Sequence, residues 1–101
     1  MDMSDEDRGQ PISEEDQFVR TERVLDSSVD DERIVLDTDS EMYYGLNRVG
    51  AYLWDELEEP HTVEELVAST TEEFDIEPPE CQYDVQTFLT ELLEVDLIER
   101  V

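Results

Sequence analysis

The sequence predicts an α+β fold, winged-helix-like, in which a three-stranded antiparallel sheet is followed by three helices. Extended runs fill the first half of the chain and apolar residues at helical spacing fill the second, so strands and helices are segregated rather than alternating. With 101 residues, 38 % of them hydrophobic, the chain has the material for one modest core and hence one domain.

Residues 1–17 hold seven acids, one Arg and almost no apolar side chains. Such a segment buries too little surface to offset the entropy of ordering, so it reads as a disordered acidic leader to a domain spanning residues 18–101. Three extended candidates follow: FVRTERVL (18–25), RIVLD (33–37) and MYYGL (42–46). SSVDDE and TDSE between them carry the Asp and Ser that favour turns, giving an antiparallel meander. In the third strand Met42, Tyr44 and Leu46 share one face, and Tyr43 and Gly45 the other. Glycine within a strand weakens it and often marks close approach by another backbone.

At Asn47, a good N-cap, the period changes. Val49, Tyr52, Leu53 and Leu57 then fall at helical spacing until Pro60. Gly50 in the first turn costs about 1 kcal/mol relative to Ala, which close packing against a neighbour would offset. Thr62 and Glu65 form a capping box that opens a second helix, with Val63, Leu66, Val67, Thr70 and Phe74 on one stripe. EPPE (77–80) is expected to break the chain. A third helix is expected from about Tyr83 to Val95, with Val85, Phe88, Leu89, Leu92 and Leu93 inward, and DLIERV reads as an extended end packed back on the domain.

Against 31 Asp and Glu stand 6 basic residues, all Arg, for a net charge of -25. That surface repels nucleic acid and anionic lipid, which are bound through Lys or Arg. It fits a folded protein adapted to molar salt, where the Debye length is about 3 Å and self-repulsion is screened. No apolar run is long enough to span a membrane, and MDMSDEDRGQ lacks the features of a signal peptide, so a soluble cytoplasmic protein is expected.

Little in the sequence points to catalysis. His61 is the only histidine and Cys81 the only cysteine, without metal-ligand spacing between them. His61 therefore reads as a surface residue and Cys81 as a small helix-start residue. Paired acids such as Asp30 with Asp31, or Glu64 with Glu65, carry no specificity in so acidic a chain, and no phosphate-binding glycine loop is present. The expectation is a protein without enzymatic activity, cofactor or metal. Trp54 lies about 100° around its helix from Leu53, so it either widens the buried face or forms an exposed aromatic patch for docking a partner.

The run LDTDSEMYYGLNRVGAYLWDELEEPHTVEELV resembles the PqqD-like family. The matching positions are Asp37, Tyr43 and Tyr44, Leu46 and Asn47, Gly50, Trp54, and Thr62, Glu65 and Leu66. The likeness continues through EEFDIEPPECQYDVQTFLTELLEVDLIE and covers roughly residues 20–99, with Asp96 where the family usually has Gly and Phe74 where it usually has Tyr.

That resemblance implies a recognition element for ribosomally made, post-translationally modified peptides. Such an element holds a precursor's leader peptide as an extra strand and presents it to a modifying enzyme, a radical SAM enzyme or a leader peptidase, and catalyses nothing alone. The edge would be Glu41, Met42, Tyr43, Tyr44, Gly45 and Leu46, with Gly45 admitting the incoming backbone. Val85, Phe88, Leu89 and Leu92 of the third helix would complete the groove, so Tyr44→Pro or Leu89→Asp is expected to abolish leader binding. One rival is a winged-helix nucleic-acid regulator, which the absence of Lys and Arg from QYDVQTFLTELLEVD disfavours. The other is an accessory subunit that docks on an enzyme through Trp54 without binding a peptide.

Overall fold

The computed structural model describes residues 12–22, 24–30 and 32–101. The leader expected at the start of the chain lies, for residues 1–11, outside the described residues. In chain order the elements are β1 (Gln17–Arg20), β2 (Val24–Val29), β3 (Glu32–Asp37), β4 (Met42–Leu46), α1 (Arg48–Glu56), β5 (His61–Thr62), α2 (Val63–Phe74), α3 (Pro78–Glu94) and β6 (Ile98–Arg100).

The α+β class and the antiparallel sheet beside three helices are as predicted: the sheet has the order β2-β3-β4. FVRTERVL, however, is not one strand. Its first part is β1, which pairs with β5 and β6 in a second small antiparallel sheet, and its end begins β2. The chain turns between them because Arg20 N–H donates to Leu57 O at 2.9 Å and Thr21 N–H to Leu97 O at 3.0 Å. These bonds seat fully buried Phe18 in the core. SSVDDE is likewise mostly strand: Val29 pairs with Glu32, and Asp30, just after β2, takes φ 58°. Asp tolerates this left-handed conformation better than most residues.

Ile12 packs against the core, and Asp16 accepts from Arg100 at 2.6 Å, whose guanidinium lies 5.3 Å from the Phe18 ring centre. Residues 12–17 thus lie against the domain. The tail returns as expected, as β6 beside β1.

The helices begin where local chemistry directs. Asn47 Oδ1 accepts Gly50 N–H at 2.8 Å, capping α1. Thr62 and Glu65 form the reciprocal capping box of α2, and the bond from Thr62 N–H holds the Glu65 carboxyl below the usual carboxylate range. EPPE opens a helix instead of breaking the chain. Pro78 and Pro79 occupy the first turn of α3, where a missing N–H leaves no bond unmade. Asp96, at the place where the resembled family usually has Gly, takes φ 60°, the conformation that makes glycine common after a helix.

The core lies where the three helices meet β1, β3, β4 and β6. Cys81 is buried there, with its thiol directed at Val67 O at 3.6 Å, while His61 Nε2 lies 3.8 Å from a Glu56 carboxylate oxygen, so the two serve separate structural contacts. Among the described residues no helix is long and apolar enough to cross a membrane.

Candidate functional site

Among the described residues β4 is an edge strand, hydrogen-bonded on one side only, to β3. Which of its backbone groups face outward follows from the register. Opposed residues in an antiparallel ladder alternate between exchanging both backbone hydrogen bonds and exchanging neither. The pairing of Val29 with Glu32 closes the β2-β3 hairpin and makes them a bonded pair, so Glu32, Ile34 and Leu36 bond to β2. Arg33, Val35 and Asp37 are left for β4, where they face Leu46, Tyr44 and Met42. The N–H and C=O of Tyr43 and Gly45 therefore point to the open edge.

Asp37 shapes the approach to that edge. Its carboxylate accepts Asp39 N–H at 3.0 Å and its carbonyl accepts Glu41 N–H at 2.8 Å, folding the four-residue connection. Glu41 takes φ 61° and ends this loop. It precedes the strand and its N–H is already bonded, so the edge runs from Met42.

Beside β4 lies a cavity of about 440 Å³, lined by Tyr44, Gly45, Leu46, Asn47, Gly50, Phe88, Glu91, Leu92, Glu94 and Val95. Gly50 belongs there for steric reasons. A Cβ on it would sit 3.2 Å from Phe88 Cε1 and 3.2 Å from Asn47 Oδ1, so the missing side chain is what lets the Phe88 ring settle over α1. This is the close packing that the cost of a helical glycine called for. At Gly45 nothing lies within 4 Å of the Cβ position, so the strand presents bare backbone at that point. Glu91 and Glu94 put two carboxylates on the wall of an otherwise largely apolar groove.

α3 carries two stripes rather than one. Cys81, Val85, Leu89 and Leu92 are buried toward the core. Phe88, Glu91, Leu92 and Val95 line the groove, rotated by about one residue step, with Leu92 common to both. Of the third-helix residues expected in the groove, Phe88 and Leu92 are there. Val85 and Leu89 are completely buried in the core and offer no surface to a ligand. Asn47, Gly50, Glu91, Glu94 and Val95 were not anticipated. Positions 91, 92 and 95 are reachable from Phe88 by steps of three, four and seven, the signal that finds them.

Trp54 is core and not a docking patch. Only 1 % of it is exposed, and its indole N–H donates to Asp26 Oδ2 at 2.9 Å while Arg20 stacks over the ring at 5.3 Å. The strand β2 and the Arg20 side chain cover the face that helical periodicity left open. Next to it Arg33 reaches from β3 to Asp55 of α1 with two hydrogen bonds, 2.6 and 3.1 Å, which push its pKa up and tie the sheet to the helix. This clasp holds β4 at its position against the helices.

A second, apolar cleft of about 320 Å³ lies between α2 and α3, walled by Val67, Ala68, Thr71 and Pro78 among others. It touches no strand edge. Among the described residues no group of three or more His, Cys, Asp or Glu is placed to hold a metal ion.

Comparison with known proteins agrees with the likeness seen in the sequence. No curated protein matches the chain. Among solved structures it is similar to TbiB1 in complex with the TbiA(beta) leader peptide, at 31 % identity and TM-score 0.72, over 80 % of this chain and 94 % of that one. It also matches lasso peptide synthetase B1 complexed with the leader peptide, at 22 % identity and TM-score 0.71, over 81 % and 96 % of the two chains. A third match is the PqqD truncation of Methylobacterium extorquens PqqCD, described as a functional, stand-alone recognition element for ribosomally synthesized and post-translationally modified peptides. There the identity is 15 % and the TM-score 0.74, over 88 % of this chain and 95 % of that one. The latter two likenesses, at lower identity, speak to the fold alone. The family model for coenzyme PQQ synthesis protein D matches residues 32–98, from β3 to the start of β6, and the chain belongs to that PqqD family.

Proposed function

We propose that this protein is a non-catalytic recognition element that captures the leader of a ribosomally made precursor as an added strand on β4. It then presents the peptide to a modifying enzyme, a radical SAM enzyme or a leader peptidase. The observation that carries this reading is the open β4 edge running beside the groove under Phe88. TbiB1, which shares 31 % identity with this chain, was solved with a leader peptide bound.

Strand addition draws affinity from backbone hydrogen bonds and specificity from pockets that receive alternate side chains. The outward groups of Tyr43 and Gly45 supply the first. Tyr44, Leu46, Phe88, Leu92 and Val95 supply the second, receiving an apolar anchor from the guest, and Glu91 and Glu94 favour a Lys or Arg beside that anchor. A winged-helix role on nucleic acid gains no support, because α3 contains neither Lys nor Arg.

Removing the groove's aromatic ceiling is the direct test. Phe88→Ala is expected to weaken binding of the leader of the nearest encoded precursor by roughly 30-fold, the equivalent of about 2 kcal/mol for one buried aromatic anchor. Fluorescence polarisation with labelled leader reads it, and unchanged affinity in a folded variant would refute the groove assignment.

The net charge of -25 supports a cytoplasm of high salt as the working environment. Raising ionic strength from about 10 mM to 1 M shortens the Debye length from about 30 to 3 Å and removes most self-repulsion. The melting temperature is therefore expected to rise steeply across that range. An equal melting temperature at both ends would count against salt adaptation.

A further inference from the structure

The β2-β3-β4 sheet has an outward face that the groove does not use, and its composition is unusual for a solvent-facing surface. Antiparallel sheets with one face on a core normally place polar residues outward. Here β2 does the reverse: Asp26 and Ser28 turn inward to the clasp with Trp54 and Arg33, while Leu25 and Val29 turn outward, 62 % and 52 % exposed. The register sets Leu25 beside Leu36 and Leu36 beside Tyr43, itself 71 % exposed, in one row across the sheet. Ser27, Ile34 and Gly45 form the next row. Only Glu32 among these outward positions is charged, in a chain of which 37 % of residues are charged.

We propose that this face is the docking surface for the modifying enzyme, through an enzyme patch that is apolar at its centre and basic at its rim. The inference rests on the leader-binding reading, which it extends. Two observations select this occupant. First, the rim of the face carries Asp30, Glu32 and Glu41, all exposed. A second copy of this chain stacked here would set these carboxylates against one another at contact distance, within even the roughly 3 Å Debye length of molar salt, so complementarity requires a basic-rimmed partner of another kind. Second, the face is continuous with the guest's edge. Tyr43 and Gly45 lie on it and also aim their backbone groups at the guest strand. Alternate side chains of a bound leader would then extend the same rows outward, beside Tyr43 and over the bare backbone at Gly45. The enzyme thus reads a composite surface made by protein and leader together, and leader and enzyme each strengthen binding of the other.

The test uses the full chain in high salt, with the purified radical SAM enzyme or peptidase encoded beside the precursor, and that precursor's leader. Leu25 and Val29 sit on β2, away from the guest edge. Leu25→Ser combined with Val29→Ser is expected to keep leader affinity within twofold and to lower enzyme affinity at least tenfold, by calorimetry. Leader is expected to raise the enzyme affinity of the parent chain. Equal enzyme affinity of parent and variant overturns the inference, as does failure of the enzyme to bind the parent. A parent dimer that the double variant abolishes, seen by light scattering, also overturns it by assigning the face to a second copy. Loss of leader binding by the parent is a separate outcome. It removes the groove reading, while docking that depends on Leu25 and Val29 would uphold the face.

Discussion

Tyr43→Pro is expected to fold like the parent chain and to bind the leader at least tenfold more weakly, whereas Tyr44→Pro is expected not to fold. The two residues are adjacent, and their side chains alone would suggest the opposite order, since Tyr43 is 71 % exposed and Tyr44 is half-buried against the groove. The backbone decides. Tyr43 N–H faces the open edge, where a proline is tolerated because no internal bond is lost. The guest loses one hydrogen bond, about 1 kcal/mol, and meets a pyrrolidine ring where its own backbone must approach. Tyr44 opposes Val35 in the bonded register, and a proline there removes a bond from the middle of the ladder that positions the groove. Thermal melts and polarisation titrations on both variants check this. A Tyr44→Pro chain that folds and binds would mean that the outward positions of β4 are the other set.

Trp54→Ala is expected to lose about 3–5 kcal/mol of stability, a large share of the 5–15 kcal/mol typical of a domain. The variant empties the largest buried site, removes the donor that Asp26 accepts, and takes away the ring beneath Arg20. Urea unfolding in high salt measures it, and leader binding should fall only in proportion to the unfolded fraction. A stable Trp54→Ala chain with selectively impaired partner binding would restore the docking role that its burial removes. Leu89→Asp belongs with this variant: it places a charge in a completely buried position and tests folding, not the groove.

What the sequence made legible followed from local rules. The capping box at Thr62, the Asn47 cap and the alternation in MYYGL are decided within a few residues, and each is found as read. The second sheet was not legible, because its strands have 4, 2 and 3 residues and Phe18 pairs with His61 and Arg100, far along the chain. No periodicity can develop over so few residues. The start of α3 was misplaced because proline breaks a helix interior yet suits its first turn, and only the fold shows which position applies.

The groove shows the same division. Its strand side came from pattern and resemblance, and Met42 through Leu46 do form the edge. Its helix side was blurred because core and groove residues on α3 lie one step apart. Val85 and Leu89 versus Phe88 and Val95 separate only when β4 and α1 take up their places. Gly50 carried the clearest advance notice, since a glycine inside a helix asks for a close neighbour, and that neighbour is the Phe88 ring that roofs the groove.

Whether a guest peptide lies along β4 under Phe88 is decided by mapping amide shifts. Uniformly ¹⁵N-labelled protein in high salt would be titrated with the leader of the nearest encoded precursor. A guest strand on β4 would give the largest shifts at residues 43–46 and 88–95, with the Tyr43 and Gly45 amides moving downfield as they gain acceptors. Shifts centred instead on Val67, Ala68, Thr71 and Gln82, around the cleft between α2 and α3, would contradict it.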